Sequence, residues 1–241
     1  MAGITGEYLD YAEGEAVCEA YLAYDPAVTG ARPCVLIAHA WDGQNDVIRG
    51  TAEKLAALGY LAFAVDVYGK GVRGGPHEDN SKLMAPFVAD RGLLKRRMLA
   101  AVAAAQAHPL ARAGGVAAIG YCFGGMCVLD LARSGADGVL GVASFHGVYY
   151  PPGLGPQEKI TAKVLVMHGW DDPMAPPDQT VGLARELTDA GADWQLHAYG
   201  HAMHAFTFPG ASNPQGGILY DAAADRRSWK AMLGFLEEVF G

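Results

Sequence analysis

Short apolar runs alternate with longer amphipathic stretches along this chain, the rhythm of a mostly parallel sheet covered by helices. Val17 to Tyr24 alternates residue by residue, which predicts a solvent-edged antiparallel strand. Cys34-Val-Leu-Ile-Ala-His39 is a continuous apolar run, too short for a helix and suited to a strand buried on both faces. Asp46 to Leu58 reads as a helix ended by Gly59, and Leu61 to Asp66 as another buried strand. Tyr68 to about Asn80 is rich in glycine and charge, with Arg73, Pro76 and His77, and reads as a long loop of the kind that often carries function. A helix from Lys82 to His108 follows, interrupted near Pro86.

Val116 to Gly120, Gly138 to Phe145, Ala162 to His168 and Trp194 to Tyr199 are four more short apolar strands. Cys122 to Arg133, Thr180 to Ala190 and Leu219 to Phe240 fit helices between and after them. The expected fold is α/β: a mostly parallel sheet of about seven or eight strands with helices on both faces. Neither a repeat nor a linker interrupts the pattern, so residues 1–241 are expected to form a single domain.

Composition narrows the function. Hydrophobic residues make up 51% and charged residues 18% of the 241, enough apolar material for a sizeable core and too little charge for a disordered chain. The formal net charge of −8 repels a phosphate backbone, which argues against a nucleic-acid partner. No apolar run approaches the roughly 18–20 residues that span a bilayer, so no membrane partner is expected. Met1 to Tyr11 carries acids and no basic residue, unlike a secretory signal, and the expected location is cytoplasmic. The four cysteines, Cys18, Cys34, Cys122 and Cys127, include no CxxC pair and suggest neither a disulfide framework nor a zinc site. A monomer or homodimer acting on a small molecule fits these numbers.

The strongest local signal is Gly120-Tyr-Cys122-Phe-Gly124. It has the G-x-nucleophile-x-G form of the α/β-hydrolase nucleophile elbow with cysteine in place of serine, and an apolar strand enters it while a helical stretch leaves it. The glycines have a steric reason: the nucleophile sits on a strained, tight turn, and a side chain at either flank would crowd it. The turn also sets Cys122 at a helix N-terminus, whose dipole and free N–H groups favour a thiolate. Cys18, Cys34 and Cys127 read as core packing.

In such enzymes the acid and the histidine follow the nucleophile in that order. Gly169-Trp-Asp171-Asp172-Pro-Met-Ala-Pro176 follows the strand ending at His168, where open α/β sheets build their sites. Asp172 is preferred as the acid for its spacing to Pro176, with Asp171 the fallback. Tyr199-Gly-His201-Ala-Met-His204-Ala-Phe206 follows the last strand. His204 is the preferred base and His201 the second choice. A zinc reading of the two histidines lacks a third ligand at a helpful spacing, so neither metal nor cofactor is expected. The backbone N–H groups of Phe123 and Trp41 are the expected oxyanion hole. Arg73, His39 and His146 are candidates for substrate binding, each also readable as a structural residue.

These motifs resemble the dienelactone hydrolases, or carboxymethylenebutenolidases. The resemblance rests on Gly-Tyr-Cys-Phe-Gly-Gly at 120–125, Asp172 before its proline and the His204-Ala-Phe segment, and it runs from about Cys18 to the last helix. It implies a Cys122–His204–Asp172 triad that opens an ester or lactone through a thioester. Two positions depart from the family pattern. Ala40 stands where the family carries a glutamate that engages the resting cysteine, and Phe208 where it carries an arginine for the substrate carboxylate. The departures weigh against dienelactone itself as substrate. The competing expectation is a non-catalytic or redox-sensing scaffold that uses Cys122 as a reactive thiol.

Overall fold

The computed structural model describes residues 3–75 and 78–241, so Pro76 and His77 of the predicted loop lie outside the described residues. The expected α/β-hydrolase architecture is present. Its eight-stranded sheet is built from β1 (Thr5–Glu13), β2 (Ala16–Tyr24), β3 (Arg32–Ala38), β4 (Leu61–Ala64), β5 (Ala111–Tyr121), β6 (Val139–Phe145), β7 (Lys163–Gly169) and β8 (Trp194–Tyr199). The spatial order is β1-β2-β4-β3-β5-β6-β7-β8. β1, β2 and β4 pair antiparallel, and every pairing from β4 through β8 is parallel.

The apolar runs became strands because both faces of the sheet are covered. Along β3, Cys34, Leu36 and Ala38 join one apolar cluster while Val35 and Ile37 join the other, the period-two alternation of a pleated strand. Helices α1 (Asp46–Ala56) and α6 (Ala222–Phe240) cover the second face. Helices α2 (Ser81–Ala89), α3 (Arg91–Gln106), α4 (Phe123–Arg133) and α5 (Pro177–Asp189) cover the first. α1 shows the local logic. Asn45 caps it by accepting from the Val47 and Ile48 N–H groups, and Ile48, Thr51, Ala52, Leu55 and Ala56 form its buried stripe at helical spacing.

Four local expectations change. β2 is not the edge strand. β1 lies outside it, in register from Thr5 opposite Tyr24 to Glu13 opposite Ala16. β1 carries no apolar stripe; its one buried residue is Tyr11, whose hydroxyl donates to the Asp66 carbonyl at 2.6 Å. The break in the long helix falls at Asp90 rather than Pro86: Asp90 leaves helical geometry and its carboxylate accepts from the Leu93 N–H at 2.8 Å, capping α3. Leu219 belongs to a two-stranded ribbon, β9 (Ser212–Asn213) with β10 (Ile218–Leu219), and the last helix begins three residues later. α5 begins at Pro177, ahead of the predicted Thr180, because proline is well placed in a first helical turn.

α4, all of whose residues are buried, is tied down by charge as well as packing. Arg91 of α3 makes two 2.7 Å bonds to Asp130 of α4, Arg133 reaches Asp130 at 3.1 Å, and Arg133 also pairs with Glu186 of α5 at 2.6 Å. Asp130→Ala leaves the buried Arg91 guanidinium without its carboxylate. We expect this to cost about 3–5 kcal/mol, seen as a lower urea midpoint at unchanged slope.

Candidate active site

β5 delivers Cys122 and α4 leaves from it. Cys122 has φ 56° and ψ −115°, a backbone region that non-glycine residues rarely adopt. The strained turn is held by the Cys122 N–H donating to the Phe145 carbonyl at 3.0 Å and by the Cys122 carbonyl accepting from the Met126 N–H at 3.3 Å. The surrounding glycines are sterically required. A Cβ on Gly120 would strike the Gly124 carbonyl, one on Gly124 would strike the Ala38 carbonyl, and one on Gly125 would stand 2.6 Å from the Gly147 Cα. Each clash is with backbone, which has little room to give.

His204 arrives in the segment after β8, clamped on both sides by the ribbon that the sequence pattern did not reveal. Its N–H donates to the Gly217 carbonyl at 2.9 Å and its carbonyl accepts from the Leu219 N–H at 3.1 Å. Its Nε2 lies 3.2 Å from Cys122 Sγ and its Nδ1 lies 2.8 Å from Asp172 Oδ2. Asp172 is itself oriented, with Oδ1 accepting from the Met174 N–H at 2.8 Å and its own N–H donating to the Gly169 carbonyl at 3.1 Å. Gly169 lets the two loops close on each other, since a Cβ there would lie 2.7 Å from the Ala202 and Met203 carbonyl oxygens. Asp171 and His201 face away; His201 has a side chain 99% exposed, 3.7 Å from the half-exposed Asp171 carboxylate.

Electrostatics follow from this line of groups. Burial penalises a charged His204, but the Cys122 sulfur and the Asp172 carboxylate outweigh it and push the imidazole up to about 10. Beside it, His146 is driven well below the ordinary histidine range by burial first and the His204 charge second. Among the described residues, no cluster of three or more His, Cys, Asp or Glu side chains has the geometry to hold a metal ion.

The three residues expected to bind substrate each have protein partners. Arg73 turns inward: its guanidinium lies 3.4 Å from the buried Asp66 carboxylate and 4.0 Å from Glu19, and it donates to the Val72 carbonyl at 2.9 Å. Asp66 also accepts from the N–H groups of Glu19 and Gly69, so this cation anchors the loop to the sheet. His146 is buried behind His204, its Nε2 2.8 Å from Thr207 Oγ1 and its ring edge-to-face with His204 and Phe206. His39 is wholly buried, with both ring nitrogens bonded to backbone. Trp41 and Trp170 are partly exposed at the C-terminal ends of β3 and β7, on either side of the strands that carry Cys122 and His146.

This architecture has known counterparts. The dienelactone hydrolase family model matches residues 18–240, nearly the whole chain. The chain belongs to the dienelactone hydrolase family. A solved dienelactone hydrolase-like promiscuous phosphotriesterase from metagenomic libraries is 35% identical, with a TM-score of 0.93 over 99% of this chain and 100% of that one. An uncharacterised protein of Caenorhabditis elegans is 38% identical over 157 residues, which cover 64% of this chain and 99% of the relative. A putative carboxymethylenebutenolidase of Synechocystis is 26% identical over 206 residues, or 77% of this chain and 80% of the relative. Family membership makes this dienelactone hydrolase-like chain an ester- or lactone-cleaving hydrolase acting on small molecules. Among the described residues no helix is long and apolar enough to cross a membrane.

Proposed function

We propose that this chain cleaves a carboxylic ester or lactone by covalent catalysis within one α/β-hydrolase domain. Cys122 is the nucleophile, His204 the acid and base, and Asp172 the carboxylate that orients His204. The observation that supports this reading is the unbroken line Cys122 Sγ–His204–Asp172, at 3.2 and 2.8 Å, with a strained elbow under the sulfur.

The thiolate attacks the acyl carbon, and the carbonyl oxygen takes up negative charge facing the N–H groups of Phe123 and Trp41. The carbon–oxygen bond then breaks as His204 gives its proton to the leaving oxygen, which in a lactone stays tethered as the far end of the opened ring. A thioester remains on Cys122. Water attacks it, His204 takes the water's proton, the carbon–sulfur bond breaks, and the acid departs with the thiolate restored. An imidazole pushed up to about 10 holds its proton at neutral pH, ready for the leaving group.

With Arg73 paired to Asp66 and Glu19 and Phe208 in the place of the family arginine, a neutral ester suits the chain better than a carboxylate-bearing lactone. Wild-type protein should therefore hydrolyse p-nitrophenyl acetate in preference to dienelactone. Rapid quenching followed by intact-mass analysis should find one acetyl group per chain, located on Cys122. Turnover without a trapped acyl-enzyme at any quench time, or an acetyl group on another residue, would refute the covalent route.

The likeness to the phosphotriesterase supports a second substrate class, because the same thiolate can displace a nitrophenolate from phosphorus. Release of nitrophenolate from diethyl 4-nitrophenyl phosphate by wild type and not by Cys122→Ala would establish it.

A further inference from the structure

The proposed mechanism makes no use of His39, yet both nitrogens of this ring are bonded to backbone groups. It lies at the end of β3 and is 0% exposed. Its Nε2 faces the Val67 N–H at 3.1 Å. A backbone N–H only donates, so Nε2 is the lone-pair nitrogen. Its Nδ1 faces the Ala40 carbonyl at 2.7 Å. A carbonyl only accepts, so Nδ1 carries the proton. The partners therefore select one neutral tautomer. Burial, chiefly, pulls the ring down to about 4 and keeps it in that form at neutral pH.

The acceptor is what gives this bond its consequence. The Ala40–Trp41 peptide is trans, so its carbonyl and its N–H point from opposite edges of one rigid plane. Holding the Ala40 oxygen sets the direction of the Trp41 N–H. The same oxygen accepts from the Gly43 N–H at 3.2 Å, closing a four-residue turn, and Tyr68 Oη donates to the Trp41 carbonyl at 2.9 Å, holding the next peptide. The Tyr68 ring lies 4.6 Å from His39 and stacks on Phe123 at 5.7 Å, which joins this turn to the elbow. Among the described residues, neither the Trp41 nor the Phe123 N–H has a protein acceptor.

We propose that His39 is a positioning residue of the oxyanion hole, fixing the Ala40–Trp41 peptide so that the Trp41 N–H stays aimed at the developing oxyanion. The inference rests on the reading of Trp41 and Phe123 as the oxyanion donors. Such donors act because they are aligned before charge develops, and a turn free to rotate loses that advantage. The Nδ1–H bond also polarises the peptide and makes its N–H a better donor.

Two rates on the full chain test this. Single-turnover acylation by p-nitrophenyl acetate builds an oxyanion. Alkylation of Cys122 by iodoacetamide displaces iodide from a saturated carbon and builds none, although it uses the same sulfur and the same His204. His39→Phe fills the space without either hydrogen bond, and should slow acylation about 10- to 100-fold while alkylation changes by less than about 2-fold, given that an oxyanion donor is worth about 10²–10³ in rate. His39→Asn puts an amide nitrogen where Nδ1 stands and should recover most of the acylation rate. His39→Gln, whose amide lies at the Nε2 position, should not.

Equal losses in both rates would mean that the ring merely supports the nucleophile, and would overturn the proposal. So would unchanged acylation in His39→Phe, or equal acylation by the Asn and Gln variants. If His39→Phe does not fold, the Asn–Gln comparison decides alone. Failure of the underlying mechanism shows separately: wild type alkylated at Cys122 would still turn over the ester.

Discussion

Cys122→Ala leaves a folded protein whose kcat for p-nitrophenyl acetate falls by about 10⁴-fold or more, with KM little changed. The fold survives because the substitution removes one sulfur atom and keeps a Cβ at the same positive-φ position, so strain in the elbow is the same before and after. Gly120, Gly124 and Gly125, which make room for the turn, are untouched. In the proposed mechanism the loss is large because the sulfur converts one difficult displacement into two easier ones. Residual rate would come from oxyanion stabilisation and binding alone. Steady-state kinetics and a thermal melt on the same sample check both halves. A variant that keeps more than about a tenth of wild-type kcat would remove Cys122 from the mechanism.

Asp172→Asn should lower kcat by about 10²–10⁴ and also reshape the pH profile. His204 is raised to about 10 against the pull of burial, by the Cys122 sulfur and by the carboxylate whose Oδ2 lies 2.8 Å from Nδ1. Since the folded imidazole sits above its ordinary value of about 6.5, its favourable pairing is fully present below that value and is lost as pH rises through about 10. Both stability and the supply of a proton for the leaving oxygen therefore decline in that alkaline window. Replacing the carboxylate by a neutral amide removes one raising influence, so the alkaline limb of kcat/KM should move to lower pH. A limb that stays in place with a reduced plateau would show that Asp172 only orients the ring.

Much of the fold was legible because its determinants are local. A strand buried on both faces must be apolar at every position, so the central strands β3 to β7 stood out as short runs between glycine and polar segments, while Val17 to Tyr24 showed as an alternation. The elbow was legible because its turn excludes a Cβ at particular positions, and that exclusion is written as glycine at 120, 124 and 125. Asp172 and His204 were found because the acid and then the histidine follow such an elbow, each just beyond a strand that could be read.

The strand β1, the β9–β10 ribbon and the Arg91–Asp130–Arg133 cluster left no such mark. β1 is held by its pairing with β2, by the Tyr11 hydroxyl's bonds to the Asp66 backbone and by ion pairs of Asp10 and Glu13, none of which demands an apolar pattern. The ribbon is two residues a side, too short for any periodicity, yet it clamps the backbone of His204. The identities of Arg73, His39 and His146 were visible, but their roles depend on partners that only folding brings within reach.

Sequence by itself thus determined the sheet, the covering helices, the elbow and the candidate nucleophile, because each reflects the burial or backbone sterics of adjacent residues. Tertiary structure decided which carboxylate meets which histidine, that Arg73 faces Asp66, and that the His39 ring lies between the Ala40 carbonyl and the Val67 N–H. A hydrogen bond or ion pair is chosen by what lies within about 3 Å in space, and Val67, Thr207 and Asp130 reach their partners from 28, 61 and 39 positions away along the chain.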